Sequence, residues 1–67
     1  MALSVFEERF RADGRVAHGP KRRDDYYVSG VYDDTRLLWE SEAHDTRRAA
    51  RAVALAAKHG LATEGQE

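Results

Sequence analysis

Between Asp45 and Gly60 the sequence reads "DTRRAARAVALAAKHG", and the apolar side of its helical repeat is built almost wholly from alanine. Ala50, Val53, Ala54, Ala57 and Leu61 share one stripe about 100° wide, and Asp45 stands where an N-cap belongs. Arg47, Arg51 and Lys58 lie opposite, with Arg48 beside them. Alanine lets a helix lie close to a sheet but supplies little bulk. The sheet must therefore supply it, and that restricts the chain to an α+β arrangement with large side chains on the strands.

The strands are legible. "DDYYVSGVYD", residues 24–33, has the aromatic and β-branched content of a strand. Tyr26, Val28 and Tyr32 fall on one face with Gly30 between them; Tyr27, Ser29 and Val31 fall on the other. "DDT" at 33–35 is a turn, since aspartate side chains bond their own backbone there. "RLLWESEA", 36–43, returns as a second strand with Leu37, Trp39 and Ala43 on one face and Leu38, Glu40 and Glu42 opposite. The hairpin is expected to place Tyr26, Val28, Leu37 and Trp39 under the helix.

Upstream, Ser4 and Glu7 have the spacing of a capping box, Leu3, Phe6 and Phe10 recur at helical intervals, and Gly14 suits a C-cap. Val5 beside Phe6 breaks strict alternation, so a short helix over about 5–13 is expected, with a strand as the alternative. "RVAH", 15–18, reads as a short strand ended by Gly19-Pro20. The expected order is α-β-β-β-α, with both helices on one face of a small antiparallel sheet. Residues 1–61 form one domain, and 62–67 read as a polar, disordered tail.

At 67 residues the chain is close to the lower limit for folding on one hydrophobic core. It has no cysteine, which excludes disulfides and thiolate metal sites and suits a reducing cytoplasm. "MALSVFEERF" reaches a charge before any apolar run of signal-peptide length, and no stretch approaches the roughly 18 apolar residues of a membrane span. A soluble cytoplasmic protein with no membrane partner is expected.

Net charge is −1, from 11 Lys and Arg against 12 Asp and Glu, so the chain is not basic as a whole. Its distribution is uneven. Lys21, Arg22 and Arg23 in "PKRR" and Arg47, Arg48, Arg51 and Lys58 in the last helix stand in stretches without an acid. Nine of the 11 cations are arginine, which suits bidentate phosphate or carboxylate contacts but also follows from a GC-rich genome. The start of a helix already carries partial positive charge, so arginines crowded there cost stability unless they are solvated or meet an anion.

The element order, with "GPKRRDDYYV" leading into an aromatic-opened strand and "TRRAAR" opening the last helix, resembles the double-stranded RNA-binding domain. Gly19, Pro20 and Tyr26 match the family's Gly-Pro loop. Thr46, Arg47, Arg48, Ala49, Ala50 and Arg51 match its Ser-Lys-Lys-x-Ala-Lys helix start by type, over roughly residues 15–61. Arg22 stands where the family usually has histidine, and Glu42 and His44 replace glycines. The resemblance implies that Arg47, Arg48 and Arg51 grip phosphates beside the narrow major groove of a duplex while Lys21, Arg22 and Arg23 reach the next minor groove. The hairpin followed by "TRRAA" also resembles the arm-type DNA-binding domain of tyrosine integrases, which implies that Tyr27, Ser29, Arg36 and Leu38 on an open sheet face read DNA.

Chemistry of other kinds has little support. Ser4, Ser29 and Ser41 sit in no nucleophile motif, and His18, His44 and His59 lack the spacing of metal ligands on one helix face. The aspartate pairs 24–25 and 33–34 are turn and strand-edge acids. No enzyme activity and no cofactor are expected. The functional reading is a phosphate-gripping module for double-stranded RNA or DNA. The alternative is a protein-interaction or homodimerisation module, since a core this small invites a partner.

Overall fold

The computed structural model describes residues 2–64. Three strands, β1 (Leu3–Phe10), β2 (Tyr26–Asp33) and β3 (Arg36–Glu40), form an antiparallel sheet in the order β1-β2-β3, and α1 (Arg47–Glu64) packs across β1 and β2. The fold is α+β. Among the described residues no helix is long and apolar enough to cross a membrane.

The first segment is a strand, not the expected helix over 5–13. It pairs with β2 from Leu3↔Asp33 to Phe10↔Tyr26. The apparent break at Val5-Phe6 has a simple cause. Val5 pairs with Val31 and Phe6 with Gly30, so the two side chains leave the sheet on opposite faces, and each face of this strand carries large apolar residues. Among the described residues the element order is therefore β-β-β-α, with one helix.

The strand expected at 15–18 reduces to a single bridge. A tight turn, with Gly14 at φ 89° and its N–H donated to the Arg11 carbonyl, folds the chain back so that Val16 bridges Phe10. The hairpin turn falls where the aspartates predict, with Asp34 at φ 57° in the two-residue connection between the paired Asp33 and Arg36.

Which face of the sheet the helix covers is the second correction. Arg51 reaches Glu7 and Arg47 lies over Tyr27, so the helix side carries Tyr27, Ser29 and Val31, not Tyr26 and Val28. Val31, Ala50 and Ala54 are fully buried there. Strands β2 and β3 slip by one residue between Val31 and Tyr32, with Leu38 the extra residue. The slip pairs Trp39 with Val31 on the helix side and Leu37 with Tyr32 on the other, although both were expected on one face.

Small side chains explain the choice of face. Ser29 and Val31 let the alanine stripe come close, whereas a row of tyrosines would hold the helix away. After Glu40 the chain keeps contact with β2. The Ser41 N–H donates to the Ser29 carbonyl at 2.8 Å, and His44 exchanges two backbone bonds with Tyr27. Thr46, not Asp45, caps the helix: its Oγ1 accepts the Ala49 N–H at 3.1 Å. The helix continues to Glu64, so Ala62, Thr63 and Glu64 are helical where a tail was expected; 65–67 lie outside the described residues.

Candidate nucleic-acid interface

The loop between β1 and β2 is tied down by two arginines that share one face of β1 and its extension. Arg9 donates to the Gly19 carbonyl and Arg11 to the His18 carbonyl. Both guanidinium groups also meet Asp25, Arg11 Nη1 at 2.8 Å and Arg9 Nε at 3.5 Å. Asp25 Oδ2 accepts the Arg22 N–H as well, at 2.9 Å. Only 5% of Asp25 is exposed. Burial raises the cost of its charge, but the Arg22 N–H, the Arg11 hydrogen bond and the charges of Arg11 and Arg9 outweigh it and hold the carboxyl below its ordinary 3.8.

This anchoring brings Lys21 to the helix start. Lys21 Nζ donates to the Asp45 carbonyl at 3.1 Å and lies 5.7 Å from the centroid of the Tyr27 ring. The Arg47 guanidinium lies 5.6 Å from the same centroid. Two cations separated by 26 positions are thus within about 11 Å of each other, set against one aromatic ring.

Arg48 is exposed and makes no ion pair among the described residues. Arg51 is partly engaged: its Nη1 is 3.2 Å from Glu7 Oε2 on β1. Arg47, Arg48 and Arg51 line a shallow groove of about 410 Å³ with Glu7, Ala52 and Leu55. Thr46 takes up the N–H groups of Ala49 and Ala50, and those of Arg47 and Arg48 point out of the helix end.

Arg22 and Arg23 do not join this group. They line a separate depression with Arg11, Asp13, Asp24 and Asp25, where carboxylates oppose an anion. Of the six cations singled out in the sequence, the structure gathers Lys21 with Arg47, Arg48 and Arg51 and leaves Arg22 and Arg23 apart. The residues that sequence reasoning missed are Arg9, Arg11 and Asp25. Their signal was present, since Arg9 and Arg11 are two apart and share a face once the segment is a strand, but a helix assignment hides it. Tyr27 and Ser29, expected on an open face, are buried under α1, 8% and 0% exposed, and are not accessible to a duplex groove.

No known protein family, curated protein or solved structure matches this chain.

Proposed function

We propose that the chain binds the phosphate backbone of a nucleic-acid duplex through Lys21, Arg47 and Arg48, with Arg51 as an auxiliary cation. The observation that carries this reading is the convergence of Lys21 and Arg47 on the Tyr27 ring, one from a loop and one from the first residue of a helix. Like charges gathered at the positive end of a helix dipole repel one another and the dipole, and a phosphate relieves both costs. No acid stands in the first turn of α1. The contacts are to the backbone, so sequence readout is weak.

The groove mode differs from that of the double-stranded RNA-binding domain. Glu7, the carboxylate beside these cations, is paired with Arg51 from β1 and is not free to meet ribose hydroxyls. RNA and DNA duplexes of one length are accordingly expected to bind with similar affinity.

The test is an NMR titration of labelled chain with matched RNA and DNA duplexes at about 50 and 200 mM salt, the range over which phosphate contacts lose most affinity. Shifts gathered at Lys21 and residues 46–51 that weaken steeply with salt support the reading. No movement with either duplex at the lower salt overturns it.

A further inference from the structure

The face of the sheet turned away from α1 carries an aromatic surface that, among the described residues, no helix or strand covers. Phe6 and Tyr32 have ring centroids 5.2 Å apart, and Phe10 and Tyr26 stack at 5.6 Å with 20° between their planes. Val28 lies in register between the two pairs, and Leu37, 42% exposed, continues the surface onto β3. Gly30 belongs to it too: a Cβ there would collide with Phe6 Cε1, so the ring occupies the space a side chain would take. The loop offers no cover, because Arg9, Arg11 and Lys21 draw it to the helix side.

The opposite, helix-covered side is a thin core. Among the described residues only Tyr27, Val31, Ala50 and Ala54 are buried apolar side chains. The chain exposes 5034 Å². That is roughly 700 Å² more than the roughly 4,300 Å² expected of a compact monomer of 7.6 kDa. The excess is close to the roughly 800 Å² that each partner buries in a standard protein interface.

We infer that the occupant of this face is a second copy of the chain, seated sheet on sheet, with the two helices outside. The surface is built for an isologous contact, in which the same patch serves both partners. Its central strand contributes Tyr26, Val28, Gly30 and Tyr32 and no charge. Glu8 and Glu40 share the face but stand on the two edge strands, where a sandwich leaves them at the wet rim. Val28 is smaller than the aromatic residues beside it, and packed sheets stand about 10 Å apart, which leaves room between them for the rings of both copies. The absence of cations on this patch speaks against a nucleic acid there. The dimer is independent of the phosphate reading, because Lys21, Arg47 and Arg48 lie on the helix side and stay exposed.

Sedimentation equilibrium of the full chain from micromolar to millimolar concentration reads the association directly, with an expected mass of twice the monomer. Val28→Glu sets a carboxylate at the centre of the face, in register with Glu8 and with no cation on the patch to pair it. It is expected to raise the dissociation constant on the order of a hundredfold or more while the far-ultraviolet dichroism of the monomer is unchanged. Should that variant fail to fold, isotope-filtered NMR on an equal mixture of labelled and unlabelled wild-type chain decides. Contacts between copies linking the Phe6, Tyr26 and Tyr32 rings to Val28 and Leu37 support the dimer. A chain monomeric throughout, or contacts between copies confined to α1 or the outer edge of β3, overturns it.

Discussion

Arg11 Nη1 lies 2.8 Å from Asp25 Oδ2, and the same oxygen accepts the backbone N–H of Arg22. One buried carboxylate therefore joins the end of β1 to the loop that carries Lys21, and through Lys21 to the start of α1. The loop has no regular structure among residues 17–25, and polar contacts from Arg9, Arg11 and Lys21 tie it to the rest of the chain.

Asp25→Asn is expected to lower the melting temperature by several degrees, because two guanidinium groups lose their countercharge. The carboxyl titrates lower in the folded chain than its ordinary 3.8, so its contribution is complete above that value and is lost as pH falls through the folded value. Thermal melts of wild type and Asp25→Asn from pH 7 down to 2 check the sign: the difference between them must shrink below about pH 4.

Ser29 Oγ is buried against the helix without a hydrogen-bond partner among the described residues. Ser29→Ala removes that unsatisfied hydroxyl and is expected to stabilise the chain by about 1 kcal/mol. The midpoint of urea unfolding measures it, and a lowered midpoint would show that the hydroxyl is satisfied in solution.

Gly30 has no room for a methyl group unless Phe6 moves, and the Trp39 carbonyl is 3.0 Å from the same point. Gly30→Ala is expected to cost about 1–3 kcal/mol and to separate Phe6 from Tyr32. Ring-current shifts of Tyr32 report the separation alongside the unfolding midpoint.

Glu7 on β1 faces α1 and pairs with Arg51. Glu7→Gln is expected to strengthen duplex binding a few-fold and to steepen its salt dependence, since each phosphate contact adds a slope of about 0.9. Arg47→Ala is expected to weaken binding, whereas Arg22→Ala with Arg23→Ala changes it by less than about twofold because those two line a separate depression beside Asp13 and Asp24. Fluorescence anisotropy at several salt concentrations separates these effects. Equal losses from the Arg47 variant and the Arg22/Arg23 variant would refute the division of the cations into two groups.

Local rules carried the hairpin and the last helix. Aromatic and β-branched residues at 26–33, an aspartate-rich turn at 33–35 and an alanine-lined repeat from 47 on each prefer their observed conformation over a few residues. Local rules failed at Leu3–Phe10, where helical spacing of Leu3, Phe6 and Phe10 coexists with the strand that forms. Pairing with Tyr26–Asp33 over eight residues outweighs a weak helical preference. For the same reason the sequence marks the cations as a set and does not say which of them stand together. Their chemical type is a property of the residue; their neighbours are a property of the fold.

What the sequence by itself determined is therefore the kind of each element after Gly19 and the presence of a basic helix start. Tertiary structure decided the face on which α1 lies, the strand at the N-terminus, and the grouping of Lys21 with Arg47 apart from Arg22 and Arg23. The physical reason is that β1 and β2 carry large apolar side chains on both faces, so alternation along the strand cannot say which one meets the helix. That choice follows from close packing of Ala50 and Ala54 on Ser29 and Val31. The loop follows from a charge contact between Asp25 and arginines 14 and 16 positions before it, which no local pattern reveals.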